Sequence, residues 1–153
     1  MTPEQKALLL ASYQRLAPMS ETAAQLFYSR LFELDPSLRS LFKSDFRDQS
    51  VKFMDMLRVA VAELEHPDKL DRALRELAVR HAGYGVREEH YDMVGESLLW
   101  AIEKALGRSA GPELKTAWYD FYEFIADTMK AAARTHRAGV ADSADPEEPV
   151  ARD

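Results

Sequence analysis

The chain has 153 residues, of which 46% are hydrophobic and 30% are charged, as expected of one globular domain with a sizeable core. Its 20 basic and 26 acidic residues give a net charge of −6, which argues against nucleic acid or an anionic membrane as the main partner. The absence of cysteine excludes disulfides, iron–sulfur clusters and cysteine-rich zinc sites.

The apolar residues are distributed as in a protein outside the membrane. No apolar run approaches the roughly 20 residues that a membrane-spanning helix needs. The first residues also lack the apolar segment of a signal peptide. We therefore expect a cytoplasmic protein with no membrane partner.

Caps and prolines mark the first helices. Thr2, with Pro3 and Gln5, predicts a capping box at the start of a first helix, which Pro18 ends. A second helix is predicted to open at Ser20, because residues at helical spacing after it form an apolar stripe. Its inner face consists of Ala24, Phe27, Tyr28, Leu31 and Phe32.

Three aspartates are predicted to cap the next three helices. Asp35 precedes a short helix that runs to Leu41, Asp45 precedes a longer one, and Asp68 precedes a third. This third helix is predicted to stop at Gly83 and Gly85, since glycine adopts the backbone that ends a helix.

Two long helices complete the predicted domain, one from about Arg87 to Gly107 and one from Pro112 onward. No segment alternates at period two, so we predict an all-α fold of about seven unequal helices. Residues 1–136 form the predicted domain. Residues 137–153 have little apolar content and are predicted to be a disordered acidic tail.

His81 lies on the apolar face of the helix that Asp68 is predicted to cap. Leu74, Leu77 and Ala78 share that face, whereas Arg80 points away from it. A histidine there is either a packed, hydrogen-bonded core residue or a ligand to something held inside the protein. The helix alone does not decide between these alternatives.

Two further polar residues interrupt apolar faces. Tyr28 stands among phenylalanines and leucines, and Gln49 precedes Phe53 by one helical turn. A buried polar group without a partner costs about 1–3 kcal/mol, so these residues and His81 are explained economically if they line one cavity around a polar-centred ligand. Alternatively, Tyr28 points to solvent from a helix edge and Gln49 is an exposed residue near a helix start.

Taken together, these residues resemble the globins, and in particular the single-domain bacterial globins and the haem domains of flavohaemoglobins. The resemblance covers roughly residues 3 to 134, and it rests on several short motifs in a fixed order. In sequence these are Phe27-Tyr28 with Phe32, Pro36 with Leu41-Phe42, Gln49 with Lys52-Phe53, Leu77 with His81 and Gly85-Val86, His90-Tyr91 with Val94-Gly95, and Trp118.

The resemblance implies a globin fold, a haem b cofactor and a role for each matching residue. His81 resembles the proximal iron ligand, and Tyr28 and Gln49 resemble the distal polar pair that acts on the bound gas. The other implied cofactor contacts are Phe42, which resembles the phenylalanine that wedges the haem, distal Phe53, proximal Leu77, Val86, Tyr91 and Val94, and Lys52 and Arg80 near the propionates. Lys52 and Arg80 are equally well explained as solvated surface residues.

The resemblance further implies reversible binding of O2, with NO and CO as other gas partners. Donors such as Tyr28 and Gln49 favour a ligand that gains negative charge, so we expect tight O2 binding and a modest preference for CO. Because a glutamine amide is a poor iron ligand, we expect a five-coordinate ferrous form. Ala133 stands where such globins often place a glutamate behind the proximal histidine, which makes strongly oxidising chemistry less expected.

Three alternatives to O2 storage, delivery or scavenging remain open at this level. The first is a nitric oxide dioxygenase that converts NO and O2 to nitrate with electrons from a separate reductase. The second is a gas sensor, which would need an output domain. The third is a haemless helical signalling domain, against which His81 and Phe42 argue.

Overall fold

The computed structural model describes residues 1–42 and 45–142, and these residues form helices and the turns that join them, with no strand in either range. The all-α prediction is therefore confirmed. Six α-helices lie in the described ranges: α1 (Pro3–Leu16), α2 (Ser20–Leu34), α3 (Phe46–Ala62), α4 (Pro67–Gly83), α5 (Glu88–Leu106) and α6 (Pro112–Asp142). Short 3₁₀ turns cover Ala17–Met19, Pro36–Leu41, Glu63–Glu65 and Gly107–Ser109.

Most of the predicted helix ends are where the sequence indicates. Thr2 and Gln5 form the capping box of α1, and the Asp35 carboxylate accepts a hydrogen bond from the Ser37 amide at the start of the Pro36–Leu41 turn. The prediction that Asp68 caps α4 is wrong, because the helix begins one residue earlier, at Pro67. Proline has no amide hydrogen and a helical φ, so it suits the first helical position and moves Asp68 into the first turn.

The helices cross as two main pairs around one core. α2 packs most extensively against α5, and α4 packs against α6. Trp118 of α6 is fully buried, and its indole Nε1 donates a hydrogen bond to the Ser12 hydroxyl of α1 across 2.9 Å. The long α6 therefore holds both α1 and α4.

The end of α6 lies beyond the predicted domain boundary. The helix continues to Asp142, past residue 137, at which the sequence predicts the start of the tail. The rest of that tail, residues 143–153, lies outside the described residues. Within the two described ranges, no helix is both long enough and apolar enough to cross a bilayer.

Candidate functional site

The imidazole of His81 lies in the last turn of α4 and is half-buried. Its Nδ1 atom is buried. A metal-bound histidine commonly donates its second ring N–H to a main-chain carbonyl, and the Leu77 carbonyl one turn earlier acts on the His81 ring in this sense.

The surroundings of His81 keep its ring neutral. Burial lowers the pKa of the imidazole below its ordinary value of 6.5. Hydrogen bonding to the Leu77 carbonyl, one turn earlier, raises this pKa, and the positive charge of Arg80 lowers it further. Neutral imidazole is the form that coordinates a metal.

Tyr28 is the buried polar residue of α2, with only 2% of its surface exposed. Its hydroxyl donates a hydrogen bond to the main-chain carbonyl of Gln49, in the first turn of α3, across 3.2 Å. Burial raises the pKa of Tyr28 well above its ordinary value of 10.0, so the phenol stays protonated and remains a donor.

Phenylalanine rings surround Tyr28 and fix its ring plane. The Phe42 ring stands edge-on at 5.3 Å between centroids, and the Phe53 ring is tilted at 6.0 Å. Phe53 itself is stacked on Phe27 at 4.2 Å, and Phe32 lies 5.9 Å from Tyr28. The structure therefore brings predicted site residues Tyr28, Phe42 and Phe53 into one aromatic cluster.

Gln49 is half-buried, and it contacts Tyr28 through its main chain. The sequence analysis expects the side-chain amide of Gln49 to be a distal donor. That role of the side-chain amide remains a prediction. Sequence reasoning missed that the Gln49 main-chain carbonyl accepts the Tyr28 hydrogen, because every residue carries such a carbonyl and the residue type does not reveal it.

The remaining predicted apolar contacts are all partly buried. They pack against the core and yet stay half-exposed, and they are Phe42, Phe53, Leu77, Val86 and Val94. The turn after α4 approaches the Pro36–Leu41 turn, because a Cβ built on Gly85 would lie 3.7 Å from the Leu41 Cδ2. Apolar side chains that stay partly uncovered leave surface that a flat, apolar ligand could cover.

Tyr91 is buried in the first turn of α5, and two residues of α6 contact it. The Tyr122 hydroxyl donates to the Tyr91 carbonyl across 2.6 Å, and the Lys130 ammonium lies 6.0 Å from the Tyr91 ring centroid. Ala133, one turn from Lys130, is buried. No carboxylate is therefore carried at that position of the inner α6 face.

Lys52 and Arg80 are both exposed. Arg80 directly precedes His81 in α4, and its charge lowers the pKa of the imidazole. The approach of Lys52 and Arg80 to haem propionates therefore remains a prediction.

Tyr84 is a neighbour of His81 that the sequence analysis did not single out. Its ring centroid lies 6.5 Å from that of the imidazole, at an interplanar angle of 41°. The sequence could have indicated this contact, because Tyr84 follows His81 by three positions and residues at that spacing lie on one side of a helix.

No three His, Asp or Glu side chains converge as a metal site in the part of the chain that the structure describes. A metal at His81 would therefore take its other ligands from a prosthetic group. The half-covered apolar side chains and the neutral imidazole of His81 suit such a group, and so the residues fit a haem.

Comparison with known proteins agrees with this geometry. The family model for globins matches residues 25–129, which is more than half of the chain. The chain belongs to the globin family. This membership implies haem binding.

The curated relatives include flavohemoproteins. The chain is 35% identical to that of Deinococcus radiodurans over 133 residues and 32% identical to that of Rhizobium meliloti over 132 residues. Each match covers 84% of this chain and 33% of the relative, so the chain spans about a third of the length of these proteins.

A solved structure is similar over nearly its whole length. It is an engineered carbene transferase made from a Rhodothermus marinus protein that is named as a nitric oxide dioxygenase. The TM-score is 0.83 at 30% identity, with 93% of this chain and 99% of that chain covered. The globin architecture is thus shared along both chains.

Proposed function

We propose that this globin holds haem b through His81 and binds O2 reversibly with high affinity, for storage, delivery or scavenging. The observation that carries the proposal is the neutral, largely buried imidazole of His81 in a chain whose predicted haem contacts include half-covered apolar side chains. A flat apolar group would cover those side chains and use the imidazole. The Lys52 and Arg80 side chains would then approach its propionates.

A haem held here would supply a ferrous iron with one coordination position open to a diatomic gas. His81 would hold the group through an imidazole nitrogen, since burial favours its neutral ring. Phe42 and Phe53 would cover its apolar surface and exclude water, and Leu77, Val86 and Val94 would pack against it on the His81 side. The residue at the distal helix start is Gln49, a poor iron ligand, so we expect a five-coordinate ferrous form.

Two donors act on the bound gas. The Tyr28 phenol stays protonated, and the Gln49 amide offers N–H donors. A hydrogen bond to a charged acceptor contributes about 1.5–3 kcal/mol, and each 1.4 kcal/mol changes affinity about tenfold. O2 gains negative charge on binding, whereas CO gains little, so these donors slow the release of O2 selectively.

The residues on the proximal side favour reversible binding of O2 over cleavage of its O–O bond. Tyr91 lies where related globins place a tyrosine, but Ala133 occupies the position of the accompanying glutamate. Without that carboxylate the imidazole of His81 gains less anionic character. Reversible binding is therefore the better supported activity.

Nitric oxide dioxygenation is the second candidate function. The similar Rhodothermus marinus structure is named for that activity, and Tyr28 and Gln49 suit it as well as they suit O2 storage. Catalytic turnover would require electrons from a reductase as partner. Nitrate formed per electron supplied measures this activity: stoichiometric, repeated turnover supports the dioxygenase, whereas a single turnover supports O2 binding.

The proposal is tested by the rate of O2 release from the haem-loaded protein in stopped-flow experiments. Tyr28→Phe should release O2 at least tenfold faster, because it removes a donor without changing the ring. Tyr13→Phe is the matched control, since Tyr13 also donates to an α3 main-chain carbonyl, that of Met54 at 3.4 Å. An unchanged rate in Tyr28→Phe would refute the distal assignment.

A further inference from the structure

The hydroxyl of Tyr28 has a single hydrogen, and in this structure it is used between helices. It is donated to the Gln49 carbonyl, which joins α2 to the first turn of α3. The Gln49 amide in turn donates to the Asp45 carbonyl across 3.0 Å. Gln49 therefore both closes the first turn of α3 and anchors it to α2.

The Tyr28 ring has little freedom to move toward a ligand. It is 2% exposed and is enclosed by Phe27, Phe32, Phe42 and Phe53, with ring centroids between 5.0 and 6.0 Å away. Rotation about the C–O bond of the phenol, in contrast, displaces no heavy atom. Only the hydrogen can be redirected, and redirecting it breaks the bond to the Gln49 carbonyl.

We infer that the Gln49 main-chain carbonyl is a specificity-determining acceptor that competes with the bound gas for the Tyr28 hydrogen. The inference rests on the proposed function. The competing bond is neutral and, at 3.2 Å, long for an O–H donor, so it resists capture by about tenfold at most. A gas that gains negative charge overcomes this competition, and a nearly neutral gas does not.

The consequence is that the identity of the gas sets the state of α3. When O2 takes the hydrogen, α3 loses its anchor to Tyr28 and its first turn opens more often. When CO is bound, the hydrogen stays on the Gln49 carbonyl and the first turn remains anchored. The same competition lowers the preference for any ligand that is a poor hydrogen-bond acceptor.

Hydrogen–deuterium exchange of the haem-loaded ferrous protein tests this inference. Amides of residues 49–53 should exchange about three- to tenfold faster in the O2 form than in the CO or unliganded form, with exchange in α6 unchanged. In Tyr28→Phe the exchange should be fast and equal in all three forms. In Tyr13→Phe the difference between O2 and CO should persist.

Two results separate this inference from the proposed function. Equal exchange at residues 49–53 in the O2 and CO forms of the wild-type protein would overturn the competition, even if Tyr28→Phe releases O2 faster. An unchanged release rate in Tyr28→Phe would instead overturn the distal role of Tyr28 in the proposed function. The comparison of gases in the wild-type protein needs no variant, so a poorly folding variant does not affect it.

Discussion

The ring of Tyr122 lies directly against the backbone of Gly95, where α6 crosses α5. A Cβ at position 95 would lie 2.6 Å from the Tyr122 Cε2 atom, closer than real Cβ atoms approach any neighbour. The ring cannot easily withdraw, because its hydroxyl donates to the Tyr91 carbonyl across 2.6 Å. Glycine at this position therefore fixes the α5–α6 crossing behind the predicted proximal side of the site.

Gly95→Ala should destabilise the protein by about 1–3 kcal/mol, since the added methyl overpacks a buried contact. Urea unfolding monitored by circular dichroism measures the change. Gly139→Ala in α6 is the control: nothing lies within 4 Å of its Cβ, and the same change in an open helix should be neutral or slightly stabilising. Equal stabilities of the Gly95→Ala variant and the wild-type protein would show that the packing of α5 against α6 can adjust to the added methyl group.

Alanine substitution at two fully buried serines should change the stability of the protein in opposite directions. The Ser97 hydroxyl has no partner among the described residues, so Ser97→Ala should stabilise the protein by up to about 1 kcal/mol. The Ser12 hydroxyl accepts from Trp118 and donates to the Leu9 carbonyl, so Ser12→Ala should destabilise it by about 1–3 kcal/mol. Thermal unfolding of both variants decides the point, and a loss of stability in Ser97→Ala would reveal a partner for its hydroxyl.

Lys52 and Arg80 should each slow the loss of haem slightly if they approach its propionates. Exposed ion pairs contribute at most about 1 kcal/mol, so Lys52→Ala and Arg80→Ala should accelerate haem transfer to an acceptor apoprotein by up to about fivefold. Arg72→Ala provides the comparison, as Arg72 is an exposed cation on α4. Transfer rates equal to that of Arg72→Ala would identify both residues as ordinary surface cations.

Periodicity and capping chemistry predict most of the fold. The apolar stripes of α2 and α5 and the box at Thr2 depend on local rules that tertiary contacts do not override. The start of α4 was misplaced because two local signals, Pro67 and Asp68, compete for adjacent positions. The extension of α6 to Asp142 was not expected, because the composition after residue 137 favours disorder.

The site was less predictable than the fold. A spacing pattern identifies Tyr28 and His81 as residues on inner faces, and the structure places both there. It does not reveal that the Tyr28 hydroxyl engages a main-chain carbonyl, because every residue carries that acceptor. Nor does it show that the predicted apolar contacts remain half-covered, which depends on how the helices cross.

The most direct test of haem ligation by His81 is the ferrous, ligand-free absorption spectrum of the haem-loaded protein, compared between wild type and His81→Gly. We expect a five-coordinate histidine-ligated spectrum in the wild-type protein. The spectrum should be lost in His81→Gly and restored when imidazole is added, since free imidazole can occupy the vacated space. Identical spectra of the two proteins, without any response to imidazole, would contradict ligation by His81 and the function proposed for this globin.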